Sequence, residues 1–182
     1  YLPNSRKPQT HQGSLEDDQH RRDFTINSMA ISLRHETFGV LIDPFNGQKD
    51  LEAGLIRTPL EPSITFSDDP LRMLRAIRFA TRFDFQITRP CLEAMKDQAD
   101  RINILSQERI TDELNKIIAT HEPSRGFKLL QATGLLAHFF PELTALQGIE
   151  TRDGKAHKDN FYHTLEVLDN LSRNSDHLWL RW

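Results

Sequence analysis

The chain has very little cysteine and no long apolar run. Its 182 residues include one cysteine, Cys91, so no internal disulfide can form, which fits a reducing compartment such as the cytoplasm. No apolar run approaches the roughly 20 residues that cross a bilayer, and no signal peptide is recognisable, so we expect a cytoplasmic protein without a membrane partner. The net charge of −3 excludes a uniformly basic nucleic-acid coat, so phosphate binding would have to come from local clusters.

The remaining composition is that of a folded domain, with 37% hydrophobic and 27% charged residues. The chain begins at Tyr1 rather than Met and ends in an apolar segment, 178–182 (Leu-Trp-Leu-Arg-Trp). An apolar helix face seldom closes a natural domain, because it would be exposed to water. We therefore expect an internal piece of a longer protein.

Two regions of different character follow each other along the chain. Residues 21–34 have the pattern of a helix, 38–42 (Phe-Gly-Val-Leu-Ile) that of a short strand, and 43–47 (Asp-Pro-Phe-Asn-Gly) that of a turn. After Pro62 the strand signals end and helical periodicity takes over. We predict a mainly α fold with helices near 69–83, 88–99, 106–120, 123–133 and 159–172.

The segment 68–79 (Asp-Asp-Pro-Leu-Arg-Met-Leu-Arg-Ala-Ile-Arg-Phe) combines a helix start with a row of arginines. Asp69 is placed to cap the helix, and Pro70 suits the first turn because it has no N–H to leave unpaired. Arg72, Arg75 and Arg78 recur every third residue and share one face. The opposite face carries residues suited to a core, namely Met73, Ala76, Ile77, Ala80 and Phe83.

Two interpretations of this arginine face remain open from the residues alone. The face fits a polyanion such as a nucleotide triphosphate or an RNA backbone. It equally fits the solvated side of an amphipathic helix, although like charges three residues apart repel by about 0.2–0.5 kcal/mol per pair.

A second charged cluster is the segment 21–27 (Arg-Arg-Asp-Phe-Thr-Ile-Asn). Its arginines can donate to phosphate or ribose oxygens, and its aspartate can accept from sugar hydroxyls. A solvated helix start with an Arg–Asp ion pair explains the same residues.

These two segments resemble a known family when they are taken with 43–51 (Asp-Pro-Phe-Asn-Gly-Gln-Lys-Asp-Leu) and with Glu108-Arg109-Ile110 followed by Glu113-Leu114. The four motifs stand in the order seen in the bacterial tRNA nucleotidyltransferase/poly(A) polymerase family, class II type. The resemblance covers nearly the whole chain. Asp68 stands where the family usually has Glu, which leaves Asp69 in place.

The resemblance implies a domain order. Residues 1–60 would be the remnant of an α/β nucleotidyltransferase head, 61–122 a helical neck that binds nucleotide and RNA, and 123–156 a helical body. The segment 43–50 would be the flexible joint between head and neck. Residues 157–182 resemble the start of an HD-type metal-dependent phosphohydrolase domain, in which His163 would be a metal ligand. One histidine is not a metal site, and an amphipathic helix with a capping or surface histidine explains His163 better.

The resemblance also implies site residues. Asp69 and Arg72 would form a protein template that selects the base of the incoming nucleotide, while Glu108 and Arg109 would brace the template helix. The residues implied to bind nucleotide are Arg22, Asp23, Asn27, Asp69, Arg72, Arg75 and Arg78.

The implied activity is addition of CMP and AMP to the tRNA 3′ end from CTP and ATP. It would use Mg²⁺ held by an Asp-x-Asp motif, which this chain lacks, so the chain alone is expected to be inactive. The expected partners are CTP, ATP and the 3′ end of tRNA. A poly(A) polymerase shares every motif quoted, and a non-catalytic RNA-binding helical module is the alternative from another class.

Overall fold

The structure is a computed structural model that describes residues 13–148 and 159–182, together with the backbone of 151–152 and 155–156. Helices dominate these residues, which confirms the predicted mainly α fold class. The helices are α1 Leu15–His20, α2 Gly47–Ala53, α3 Pro62–Asp68, α4 Leu71–Phe83, α5 Arg89–Asp97, α6 Gln107–Ile118, α7 Pro123–Ala132, α8 Leu136–Phe139, α9 Pro141–Thr144, α10 Asn160–Asn174 and α11 Leu178–Arg181.

The strands of the described residues are short, and each pairs with a single partner. They are β1 Ala30–Ile31, β2 Leu41–Ile42, β3 Leu55–Ile56, β4 Gln86–Ile87, β5 Thr151–Arg152 and β6 Lys155–Ala156. β1 pairs antiparallel with β2, β3 parallel with β4, and β5 antiparallel with β6. None of the helices in the described residues has both the length and the apolar character needed to cross a membrane.

The five helices predicted after Pro62 correspond to α4, α5, α6, α7 and α10, with ends shifted by at most two residues. The sequence pattern does not predict α1, α3, α8 or α9, whereas α11 agrees with the helix face expected in 178–182. The helices that it does not predict have four to seven residues. Such segments are too short to show a 3.6-residue period.

The helix predicted over residues 21–34 is wrong. This segment contains a 3-10 turn, Thr25–Asn27, followed by β1. Asp23 accepts a hydrogen bond from the backbone N–H of Phe24 at 2.9 Å, and the Ser28 hydroxyl donates to the Phe24 carbonyl at 2.9 Å. Side chains that bond to nearby backbone groups compete with the helix, and here they win.

Helix α4 lies at the centre of the core and packs against α6 and α7. Five of its apolar side chains are fully buried, namely Met73, Leu74, Ala76, Ile77 and Ala80. Each large one stabilises the fold by about 1.5–3 kcal/mol relative to an exposed side chain. Phe83, expected on this face, is instead 45% exposed, because it lies in the last turn before the chain leaves the helix.

The close approach of α4, α6 and α7 depends on Gly126. A Cβ at this position would lie 2.4 Å from Cγ2 of Ile117 and 2.9 Å from Oγ1 of Thr81. A side chain of any size would therefore push α7 away from the other two helices. Gly126 thus helps to hold the helical layer that supports α4.

Helix α1 begins with a reciprocal cap on the protein surface. The Ser14 hydroxyl accepts from the Asp17 N–H at 3.1 Å, and the Ser14 N–H donates to the Asp17 carboxylate at 2.8 Å. Hydrogen bonds from the Ser14 backbone and hydroxyl lower the pKa of Asp17 below its ordinary value.

Candidate functional site

A polar cleft of about 550 Å³ forms where three segments meet: the 21–27 segment, the junction between α3 and α4, and the first turn of α6. Six of the seven predicted nucleotide-binding residues line it. The lining residues are Arg21, Arg22, Asp23, Asn27, Asp69, Leu71, Arg72, Arg75, Phe79 and Arg109. The cleft is rich in cations, which suits an anionic ligand.

Asp23 is buried at the edge of the cleft, and its carboxylate is fully engaged. Oδ1 accepts from the Phe24 N–H at 2.9 Å and from Nδ2 of Asn27 at 3.0 Å. Oδ2 accepts from Nε of Arg75 at 2.7 Å, and Nη2 of the same guanidinium lies 2.6 Å from it. A carboxylate offers about four lone-pair positions, so these four contacts use them. In this arrangement Asp23 orients Arg75, and its predicted contact with a sugar hydroxyl stays a prediction.

Asp69 connects the start of α4 to α6. Its backbone is extended, its Oδ1 accepts from the Leu71 N–H at 3.1 Å, and Nη2 of Arg109 lies 3.1 Å from Oδ2. The side chain remains 35% exposed to the cleft. Asp69 therefore lies just before the N-cap residue Pro70, accepts from the first N–H of α4 and retains acceptor positions that face the cleft.

Arg72 is held by main-chain carbonyls. Its Nη1 donates to the Thr65 carbonyl at 3.2 Å, and its Nη2 donates to the Arg21 carbonyl at 2.7 Å. A guanidinium has five N–H groups, so further donors remain after these two contacts. The two anchors fix the side chain at the cleft while leaving it able to donate to a ligand.

Arg78 is the predicted site residue that the structure does not bring into the cleft. Its Nε donates to Glu113 at 2.6 Å, and Lys116 lies 2.9 Å from the other oxygen of that carboxylate. Only 10% of the Arg78 side chain is exposed. Helical spacing groups Arg78 with Arg72 and Arg75, but it does not reveal that Glu113 of α6 faces Arg78.

Arg21 and Phe79 line the cleft without having been predicted there. The Phe79 ring lies 5.5 Å from the guanidinium of Arg75 and 4.1 Å from that of Arg78, and it packs edge-on against Phe24. The ring thus separates the arginine in the cleft from the buried one. The signal that could have revealed this role is the aromatic residue directly after Arg78, the last arginine of the row that recurs every third residue.

Family models match two parts of the chain. The "Poly A polymerase head domain" matches residues 2–57, and the "Probable RNA and SrmB-binding site of polymerase A" matches residues 84–147. The chain belongs to the tRNA nucleotidyltransferase/poly(A) polymerase family. Helix α4 and the cleft residues it carries lie between the two matched segments.

Relatives in this family support the assignment. The Multifunctional CCA protein of Laribacter hongkongensis is 40% identical over 164 residues, which cover 88% of this chain and 39% of that protein. The CC-adding tRNA nucleotidyltransferase of Halalkalibacterium halodurans is 37% identical over 167 residues, 88% of this chain and 43% of that protein. The chain thus spans about two fifths of the length of the curated relatives it matches.

Solved structures in the family share the fold. The Bacillus stearothermophilus CCA-adding enzyme in complex with CTP is 36% identical with a TM-score of 0.66, and the match covers 71% of this chain and 32% of that one. A tRNA nucleotidyltransferase complexed with a primer tRNA and an incoming ATP analog is 26% identical with a TM-score of 0.71, over 94% of this chain and 49% of that one.

The cleft carboxylates do not fit the Mg²⁺ that the family resemblance implies. In the described residues no group of three or more His, Cys, Asp or Glu side chains could hold a metal ion. Asp23 and Asp69 are bound by Arg75 and Arg109, respectively, and a cation site would require those arginines to leave. No chemical step can therefore be assigned to a metal at these residues.

His163 lies on α10 and is more than half exposed, 3.9 Å from Glu166. Phe161, Leu165 and Leu168 form the buried face of the same helix, which packs against α7. His157, at the start of the predicted HD-like segment, falls outside the described residues. This geometry is that of an amphipathic helix with a surface histidine, and the metal-ligand role of His163 stays a prediction.

Proposed function

We propose that this chain is the nucleotide-selecting part of a tRNA nucleotidyltransferase that adds CMP and AMP to the 3′ end of tRNA from CTP and ATP. The observation that carries the proposal is that Asp69 and Arg72, three residues apart in sequence and each held by other groups, line one cationic cleft. Related structures in complex with CTP, with ATP, and with a primer tRNA and an ATP analog support it.

Base selection follows from the chemistry of the two anchored side chains. A carboxylate only accepts hydrogen bonds and a guanidinium only donates them, so the pair matches the donor and acceptor edge of one base better than that of another. Arg109 holds Asp69 and the Arg21 carbonyl holds Arg72, so neither side chain needs to be ordered when the nucleotide binds.

The nucleotide phosphates have three cationic partners in the cleft. Arg21 and Arg22 are exposed, and Arg75 is one third exposed while bound to Asp23. Arg22 also contacts Asp18, a surface pair that a phosphate can displace at little cost. The predicted phosphate contact of Arg78 does not agree with its burial against Glu113, and we assign Arg78 to holding α4 on α6.

The proposed domain order places α3 and α4 in the neck. The two family models end at residue 57 and begin at residue 84, which supports a separate segment that contains the template. We propose that the Mg²⁺-binding carboxylates belong to a part of the protein outside this chain. The chain alone would then bind nucleotide without transferring it. Such an enzyme would act in the cytoplasm.

A poly(A) polymerase is the second candidate, and the names of both matching family models favour it. Incorporation assays with the whole protein separate the candidates, using a tRNA that lacks its CCA end. We expect CTP and ATP to be incorporated and extension to stop after the CCA end is complete. Use of ATP alone with continued extension would contradict the CCA assignment. No incorporation together with RNA binding would favour a non-catalytic module.

A further inference from the structure

A second concave site lies apart from the cleft, between β4, α5 and α7. This groove, here called the α7 groove, has a volume of about 620 Å³ and shares no lining residue with the cleft. Its apolar surface comes from Phe85, Ile87, Leu92 and Leu129. A volume of this size accommodates a nucleobase with its ribose, since small-ligand pockets span roughly 300–1,000 Å³.

The aromatic ring of the groove is held in place by its neighbours. Phe85 packs 5.7 Å from Phe83 between ring centroids, and a Cβ on Gly54 would lie 3.4 Å from Cδ1 of Phe85. The ring is therefore supported by the backbone on one side while part of it lines the groove. A fixed, partly exposed aromatic ring is a stacking platform for an unpaired base.

Positive charge lies along one rim of the groove. Arg125 is anchored by an ion pair with Asp84 and donates its Nη2 to the Phe85 carbonyl at 2.7 Å, which keeps the guanidinium at the rim. Lys128, one turn further along α7, is exposed. The acidic rim residue Glu122 is paired with Arg173 at 3.5 Å, which reduces its repulsion of an anion.

Every residue that lines the groove falls within 84–147, the segment matched by the RNA-binding family model. We infer that the α7 groove binds one unpaired nucleotide of single-stranded RNA, with its base on Phe85 and a flanking phosphate at Arg125 and Lys128. Stacked bases of a duplex cannot present their faces to this ring, so single strands are preferred. The inference rests on the proposed function only in taking RNA as the ligand.

Binding of a short single-stranded RNA to the full chain, followed by fluorescence anisotropy, tests the inference. Lys128→Glu removes the rim cation, and Ala132→Leu fills the groove from an exposed helix position. Lys96→Glu on α5 and Ala137→Leu on α8 are matched controls, because both positions are exposed and neither lines the groove. We expect the two groove variants to bind about tenfold more weakly and the controls to bind normally.

Photocrosslinking and nucleotide binding complete the test. Thiouridine-substituted RNA should crosslink to peptides that contain Phe85 or Leu129, and duplex RNA should bind independently of Ala132→Leu. Equal binding by groove variants and controls, or crosslinks confined to other peptides, would overturn the inference. CTP binding should be the same in all four variants. Groove-dependent RNA binding without any CTP incorporation by the whole protein would refute the proposed function and leave this inference intact.

Discussion

The first and second halves of α4 use the same residue type for opposite purposes. Arg72 and Arg75 face the cleft. Two main-chain carbonyl groups orient Arg72 and Asp23 orients Arg75, and each guanidinium keeps N–H donors that are exposed to the cleft. Arg78, three residues further on, is buried against Glu113 and Phe79. The difference comes from the neighbouring groups, because Glu113 of α6 meets the Arg78 guanidinium, whereas Arg72 and Arg75 border the cleft. A row of arginines on one helix face is therefore not one functional unit.

The largest effect is expected from breaking the buried pair. Glu113→Ala would leave the Arg78 guanidinium without its buried carboxylate, and it should lower the free energy of unfolding by about 3–5 kcal/mol in urea titrations. Glu93→Ala is the control, since the Glu93–Arg89 pair lies on the surface. Similar losses in both variants would contradict the distinction between the two halves of α4.

A smaller loss is expected when Asp23, the residue that orients Arg75, is removed. Asp23→Ala leaves the Asn27 amide and the Phe24 N–H without their acceptor, and we expect about 1–3 kcal/mol of lost stability. A double-mutant cycle with Arg75→Ala measures the coupling between Asp23 and Arg75. If the stability losses of the two single variants add up to the loss of the double variant, Asp23 does not orient Arg75.

Arg72→Ala should affect nucleotide selection much more than stability. We expect the preference for CTP over GTP to fall about tenfold, because a good bidentate contact contributes about 1–3 kcal/mol of discrimination. Arg82→Ala is the matched control, since Arg82 lies exposed on the same helix. Arg101 would be a less suitable control, because its side chain donates a hydrogen bond to the Ser67 carbonyl of α3. Equal effects of Arg72→Ala and Arg82→Ala on selection would contradict the template assignment.

The smallest effect is expected at an exposed charged contact outside α4, the one between Ser14 and Asp17. The pKa of Asp17 is lowered in the folded protein, so its contribution to stability is present above its unfolded pKa of about 3.9 and is lost as the pH falls through the lower folded value. The protection of the α1 amides against exchange, relative to the intrinsic exchange rate at each pH, should therefore fall in acid, and Asp17→Asn, which removes the titrating group, should abolish that pH dependence. A pH dependence that survives Asp17→Asn would show that another group is responsible.

The sequence predicts those features of the fold that depend on periodicity. The position of α4 and the burial of Met73, Ala76 and Ile77 follow from helical spacing, and six predicted nucleotide-binding residues line one cleft. The burial of Arg78 could not be predicted, because it depends on a helix 35 residues away in sequence. The irregular segment after Arg22 was also missed, since its hydrogen bonds with Asp23 and Ser28 outweigh its helical pattern.

The contact between Arg72 and residue 21 is made by a main-chain oxygen. Any amino acid at position 21 supplies the same carbonyl, so substitution there cannot tune the position of Arg72 through this bond. Only a shift of the backbone can do so. If the 21–27 segment moves relative to α4, the donors of Arg72 move with it, and the preferred base changes without any change in sequence. Base selectivity at this site would then depend on where the backbone of the 21–27 segment lies relative to α4. It could change during a reaction cycle, but a point mutation at residue 21 could not change it through this bond.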